Sequence, residues 1–200
     1  MSDKKLQSKC KTCRRLGVCV FKFRCTGVLN RPNPPGQHGG SQRAKTSIYG
    51  MQLKETQKLR HYYGISTKQF RNYFKSASRS KQQTNEKLIQ SLETRLDNMV
   101  YRMGFAGSLR SARQMVVHRH LLVNGKNVNK PGYVVKPEDK IELRKKSKEI
   151  QNYQDWFKFY YQEINYIERD EESLAAKLLR IPNRDEIPIQ VEDQLVVEFM

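Results

Sequence analysis

Acidic residues are scarce over most of this chain. Residues 1–150 carry 9 Asp and Glu against 33 Lys and Arg, a net +24; residues 151–200 carry 11 acidic and 5 basic residues, a net −6, and the two sum to the +18 of the full 200-residue sequence. Long apolar runs are missing too: none approaches the ~20 residues that span a bilayer. The opening MSDKKLQSKCK has no apolar core of the kind a secretory signal needs. These absences point away from a membrane and towards the reducing cytoplasm, where structural disulfides are not expected. Catalytic signatures are lacking as well. There is no Gly-rich loop ending in Lys-Ser/Thr and no HExxH, and the 4 histidines are scattered among basic residues. The expectation is a non-enzyme with no small-molecule substrate. No internal repeat is found.

What is there is positive charge. A polyanion partner suits the first three quarters of the chain. An anionic membrane surface or a merely solvated basic face would share the composition. Without lipidation signals or an amphipathic anchor, nucleic acid is favoured. The acidic last quarter should avoid phosphate and pack on protein.

All 4 cysteines fall in CKTCRRLGVCVFKFRC, Cys10 to Cys25. A Cys-x-x-Cys pair suits a tetrahedral thiolate site. The same residues could be redox pairs, though no thioredoxin-like βαβ pattern surrounds them, or simple thiols.

Along the chain, NRPNPPGQHGGSQRAK (30–45) is loaded with Pro and Gly and reads as a loop. Its glycines allow close backbone approach, as to a phosphate, and Arg31, Arg43 and Lys45 would neutralise it. A flexible linker is the plainer reading. Residues 49–64 predict a helix closed by Gly64. Residues 66–77 predict another, opened by Ser66 and Gln69 at capping-box spacing, with Phe70, Tyr73 and Phe74 on one face as core rather than a stacking platform. Residues 85–104 predict one helix with Leu88, Leu92, Leu96, Met99, Val100 and Met103 as its stripe. Ser108 caps a helix over 109–120 with Arg110 and Arg113 on its polar side. Asn124-Gly125 predicts a two-residue hairpin turn, and YVVKPEDKIEL predicts further short strands. This helix, helix and strands form an L-shaped basic surface that suits folded RNA. In 153–167, Trp156, Phe157, Tyr160, Ile164 and Ile167 fit a helical face. The end predicts a short helix in SLAAKLLR, a Pro-rich turn and a final apolar strand.

Four blocks carry a resemblance: PPGQHG (34–39), YGMQLKETQKLRHYYGISTKQFRNYF (49–74), LETRLDNMVYRMGFAGSLRSARQMVVHRHLLVNGKNV (92–128) and the ending IPNRDEIPIQVEDQLVVEF. In this order they resemble the bacterial-type small-subunit ribosomal protein S-four family. The resemblance implies an α+β fold: a mostly helical first domain with an inserted helix-helix-strands RNA-binding module. The expected boundaries are 1–90, 91–147 for the module, and 148–200 returning to the first domain. It implies a structural constituent of the small subunit, located in a cytoplasmic or organellar ribosome. Such a protein binds rRNA at a junction in the 5′ domain, nucleates assembly of the subunit body, lines the mRNA entry channel beside proteins S-three and S-five, and influences decoding accuracy through S-five.

Residue by residue, the resemblance places Arg14, Arg15, Gln37, His38, Lys58, Arg60 and Arg71 in rRNA-facing blocks. It does the same for Arg110, Arg113 and His118 in the module, and Arg31 and Lys126 are further expected RNA contacts. Arg43 and Lys45 fall where the family meets mRNA. Some members carry an N-terminal zinc knuckle. CKTCRRLG matches its first ligand pair and Cys25 lies near the second, but Asn30 stands near the expected fourth ligand. Cys10, Cys13, Cys19 and Cys25 would bind Zn2+ if Cys19 completes the set; otherwise the site has decayed. The module also occurs in pseudouridine synthases, which need a catalytic Asp domain for which these 20 acidic residues offer no room. A ribosome-associated heat-shock or rescue factor with the same module is the alternative, and should lack the C-terminal block.

Overall fold

The computed structural model describes residues 8–21, 28, 30–40, 46–160 and 164–200. It is an α+β protein whose contacts divide it into two units, residues 1–70 with 189–200, and residues 71–188. These divisions differ from the expected 90/91 and 147/148: residues 148–188 group with the module, and 189–200 return to the first unit.

In the first unit, a helix Lys9–Leu16 buries Cys13 and Leu16 and ends on Gly17, whose φ of 76° allows its amide to reach the Cys13 carbonyl at 2.8 Å. The Ile48–Tyr62 helix opens on Ser47, whose hydroxyl accepts from the Gly50 amide at 3.2 Å. It closes at Gly64, φ 61°, where the Ile65 amide donates to Arg60 at 3.1 Å. Against it lies a helix, Asp193–Phe199, where the sequence predicted a strand. Tyr49 and Phe199 rings meet at 5.6 Å, and Gln52 donates to Glu198 at 3.1 Å. The reason is periodicity. A helical turn gathers Leu195, Val196 and Phe199 on one face, whereas a strand would put Leu195 and Val196 on opposite sides. The acidic end thus packs on protein, here its own chain.

The Thr67–Ser78 helix crosses the division at 70/71. The capping box expected at its start forms: Ser66 and Gln69 exchange amide-to-side-chain bonds of 3.2 and 3.3 Å.

The second unit is built on an antiparallel sheet ordered β2-β1-β3-β5-β4, with β1 Leu121–Val123, β2 Lys126–Asn127, β3 Lys140–Leu143, β4 Ile167–Asp170 and β5 Ala175–Leu178. Asn124 and Gly125 have φ of 49° and 74°, both positive as a type I′ turn requires. Of YVVKPEDKIEL, only Lys140–Leu143 is a strand, while Val134 makes a lone bridge to Arg95. SLAAKLLR is not a helix. Its Ala175–Leu178 stretch pairs with β3 on one side and β4 on the other, and those ladders override the helix propensity of Ala and Leu. The Gln151–Phe159 helix is also shorter than predicted; Ile167 belongs to β4. Phe157 still enters the core, 4.7 Å from Phe105, among Met99, Met103, Val116, Leu121, Ile141, Tyr166 and Leu178.

The predicted helix over 85–104 is two helices, Thr84–Glu93 and Leu96–Arg102. All six stripe residues are nonetheless buried. The break at Thr94–Arg95 is held from a distance. The Val135 amide donates to Thr94 at 2.8 Å, Leu96 to Tyr133 at 2.8 Å and Asp97 to Pro131 at 3.2 Å. The segment 131–135 thus satisfies groups that a helix end would leave unpaired. Further along, the Arg180 fork and the Asn183 amide pull the Glu186 carboxyl down to about 2 and fix the 3-10 turn Arg184–Glu186.

Candidate nucleic-acid interface

The loop predicted to approach a phosphate first approaches itself. A Cβ on Gly39 would lie 1.9 Å from the Pro34 carbonyl oxygen, so only glycine fits. Arg14 holds the same loop. Its Nε donates to the carbonyls of Arg31 at 3.1 Å and Asn33 at 2.9 Å, and Nη2 donates to Pro34 at 3.4 Å. Two donors of this guanidinium reach three backbone carbonyls, so Arg14 positions the loop that carries Arg31, Gln37 and His38, all of which are exposed, as is Arg15. Sequence reasoning marked Arg14 as a cation but could not see its acceptors.

Lys58 is half-buried and ion-paired with Glu55, whose other oxygen accepts the Glu192 amide at 3.3 Å. Arg60 bonds the Thr67 hydroxyl, and burial lowers its pKa. Arg43 and Lys45 lie outside the described residues.

In the second unit, Arg71, Arg110, His118 and Lys126 are exposed. Arg113 is 40% exposed and reaches the buried Asp97 carboxylate at 3.4 Å. Asp97 is itself gripped by Arg95 through bonds of 3.0 and 2.7 Å, and Arg95 also donates to the Tyr73 hydroxyl at 3.0 Å. Burial works against the Arg95 charge, but Asp97 and Tyr73 outweigh it and its pKa is raised. A second buried pair joins Glu93 to Arg102 at 2.5 Å. The first pair reaches the helix bearing Arg113 through Asp97, and sequence reasoning passed over both pairs because their members were read only as part of one continuous helix. It also passed over a basic corner, Arg119 and His120 with Arg144, Lys145 and Lys146, signalled by the runs HRH and LRKK. His120 has its pKa lowered by burial and by the neighbouring charges of His118 and Arg144.

Three of the four predicted zinc ligands, Cys10, Cys13 and Cys19, lie among the described residues. Cys10 and Cys13 share one helix, but Cys10 is exposed while Cys13 is fully buried; Cys19 is exposed. Among the described residues, no group of three or more His, Cys, Asp or Glu could hold a metal. Cys25 lies outside them. Zinc on Cys10, Cys13, Cys19 and Cys25 is therefore not supported. Elemental analysis of the purified protein decides the point: one zinc per chain would establish the knuckle and none would reject it. Among the described residues no helix is long and apolar enough to cross a membrane.

Comparison with known proteins gives the family. Residues 4–93 match the model described as "Ribosomal protein S4/S9 N-terminal domain", and residues 94–141 match the "S4 domain". A Parabacteroides distasonis protein described as "Small ribosomal subunit protein uS4" is 47% identical over 188 residues, covering 93% of this chain and 92% of the relative. Proteins of the same description from Natranaerobius thermophilus and Geobacillus sp. are 45% and 44% identical over 198 and 191 residues, covering 95% and 94% of each chain. With helices, loop and basic side chains arranged as above, and likeness over nearly its full length, the chain belongs to the small ribosomal subunit protein uS4 family.

Proposed function

We propose that this protein is a structural constituent of the small ribosomal subunit and works by binding small-subunit rRNA, without catalysis. The observation that carries the reading is that each unit presents exposed cations from an ordered frame: the Arg14-anchored loop in one, the Asp97-anchored helix in the other. Phosphate contacts of this kind fix position and orientation rather than read sequence. Arg15, Arg31, Gln37, His38, Lys58, Arg60, Arg71, Arg110, Arg113, His118 and Lys126 are the proposed rRNA contacts, and Arg14 sets the loop.

The finer reading follows the family resemblance. The rRNA target is a junction in the 5′ domain, whose helices are held in one orientation early in assembly. Arg43 and Lys45 face mRNA at the entry channel. Proteins S-five and S-three are the neighbours, and the acidic last quarter supplies surface that repels phosphate and suits protein. The location is the cytoplasmic or organellar ribosome. Sedimentation of cell extract tests the core of this reading. The chain should run in stoichiometric amount with mature small subunits, and recovery only with stalled large subunits would sink it.

A further inference from the structure

We infer that the corner made by His118, Arg119 and His120 with Arg144, Lys145 and Lys146 is an additional binding site for RNA backbone phosphate, and that Arg119 is placed for it. The inference rests on the rRNA reading above and extends it from His118 to neighbours outside that set. Its starting point is a backbone conformation. Arg119 has φ 61°. That left-handed region disfavours side chains with a Cβ, and helix ends that need it usually carry glycine. This chain follows the habit elsewhere: Gly17, Gly64 and Gly104 follow three other helices with φ of 76°, 61° and 85°. After the Leu109–Val117 helix the same turn is made by arginine. The Arg119 amide donates to Val116 at 3.0 Å and the His120 amide to Met115 at 3.0 Å. Glycine would make those bonds without the steric penalty, so folding gives no reason for the guanidinium.

The surroundings give one. The Arg144 amide donates to the His120 carbonyl at 2.9 Å, extending the β1–β3 ladder, so the two basic runs lie on adjoining backbone. His120 is fixed by a 3.0 Å contact between Nδ1 and Ser147 Oγ and by the edge of Tyr153 at 5.3 Å. Its ring lies nearly parallel to that of His118, 15° apart in plane and 6.1 Å between centres. Its facing charged neighbours are His118 and Arg144, both basic, while Ser147 and Tyr153 face it as hydroxyl groups. Arg119, Arg144, Lys145 and Lys146 are exposed, and among the described residues no carboxylate lies within ion-pairing distance of them. The helix C-terminus favours a cation by its dipole, but His118 already stands there. Unpaired cations on ordered backbone, one of them held at a sterically costly position, match the needs of a phosphodiester.

The test is binding of the full chain to an rRNA 5′-domain fragment across a salt series, beside thermal melting. Arg119→Gly should melt about 2–4 °C higher, because glycine relieves the left-handed turn. The same variant should bind about fivefold more weakly at ~0.15 M salt, with the log–log salt slope reduced by about 0.9, the signature of one lost phosphate contact. Arg119→Asn, which tolerates the turn without charge, should lose the same affinity; Arg119→Lys should retain it within about twofold. A merely structural arginine would not separate stability from affinity in this way. If wild type binds and Arg119→Gly matches it in affinity and slope, the corner is not a phosphate site. If wild type itself shows no salt-dependent binding, the rRNA reading fails and the corner with it.

Discussion

Binding of this protein to small-subunit rRNA should weaken about 10³–10⁵-fold between about 50 and 200 mM monovalent salt. The size follows from counterion release: each neutralised phosphate contributes about −0.9 to the log–log slope, and a surface of this charge supports about 6–10 such contacts. The charge is also in large excess. Residues 1–150 hold 33 basic against 9 acidic residues. Of those acidic groups, Glu55, Glu93 and Asp97 are buried and already paired with Lys58, Arg102 and Arg95. They neutralise Lys58, Arg102 and Arg95 rather than exposed cations such as Arg15, Arg31 and Arg71. Filter binding or fluorescence anisotropy over a salt series reads the slope directly. A nearly flat dependence across that range would mean that recognition does not run through phosphates, and the electrostatic account would have to be abandoned.

Replacing Asp97 by alanine should destabilise the second unit by about 3–5 kcal/mol, as expected when one member of a buried ion pair is removed. Asp97 is 1% exposed and answers three groups: the Arg95 fork, the Asn98 amide at 3.0 Å and Arg113. Without it, the Arg95 guanidinium stays buried, donating to the Tyr73 hydroxyl but facing no carboxylate of its own pair. The double change Arg95→Met with Asp97→Leu should recover much of the loss, because no charge is then stranded. Urea denaturation followed by amide hydrogen exchange within residues 71–188 measures both. A loss under about 1 kcal/mol for Asp97→Ala would show that the pair is solvated in solution and does not organise the break at Thr94–Arg95. Because Asp97 also holds Arg113, the alanine variant should lose rRNA affinity even where it remains folded.

Where the sequence was legible, the controlling physics was local. Asn124-Gly125 announces its turn because two adjacent positive φ values admit few other residues. Ser66 and Gln69 announce a helix start because their spacing matches the amides they satisfy. The stripe from Leu88 to Met103 announces burial, and all of it is buried. The break inside that stripe was hidden because it is stabilised by carbonyls and amides of 131–135, some forty residues away. Ala175–Leu178 misled for a related reason. Its residues prefer helix by themselves, and only the presence of strands on both sides makes them β. The candidate site divides the same way. That Arg14, Arg113 and Arg119 are cations is written in the chain, but what each faces is not. One faces three carbonyls, one a buried carboxylate and one solvent, and only tertiary structure distributes those roles.

The packing of Asp193–Phe199 on Ile48–Tyr62 also sets an order in time. Residues 71–188 contain everything their own core needs, so that unit can close while the chain is still being made. The first unit begins earlier and finishes later. Until residues 189–200 have been synthesised, the Ile48–Tyr62 helix lacks the helix that packs on it and the Phe199 ring that meets Tyr49. A segment made earlier therefore completes its packing later, and the Arg14-anchored loop sits in an incomplete unit until residues 189–200 arrive.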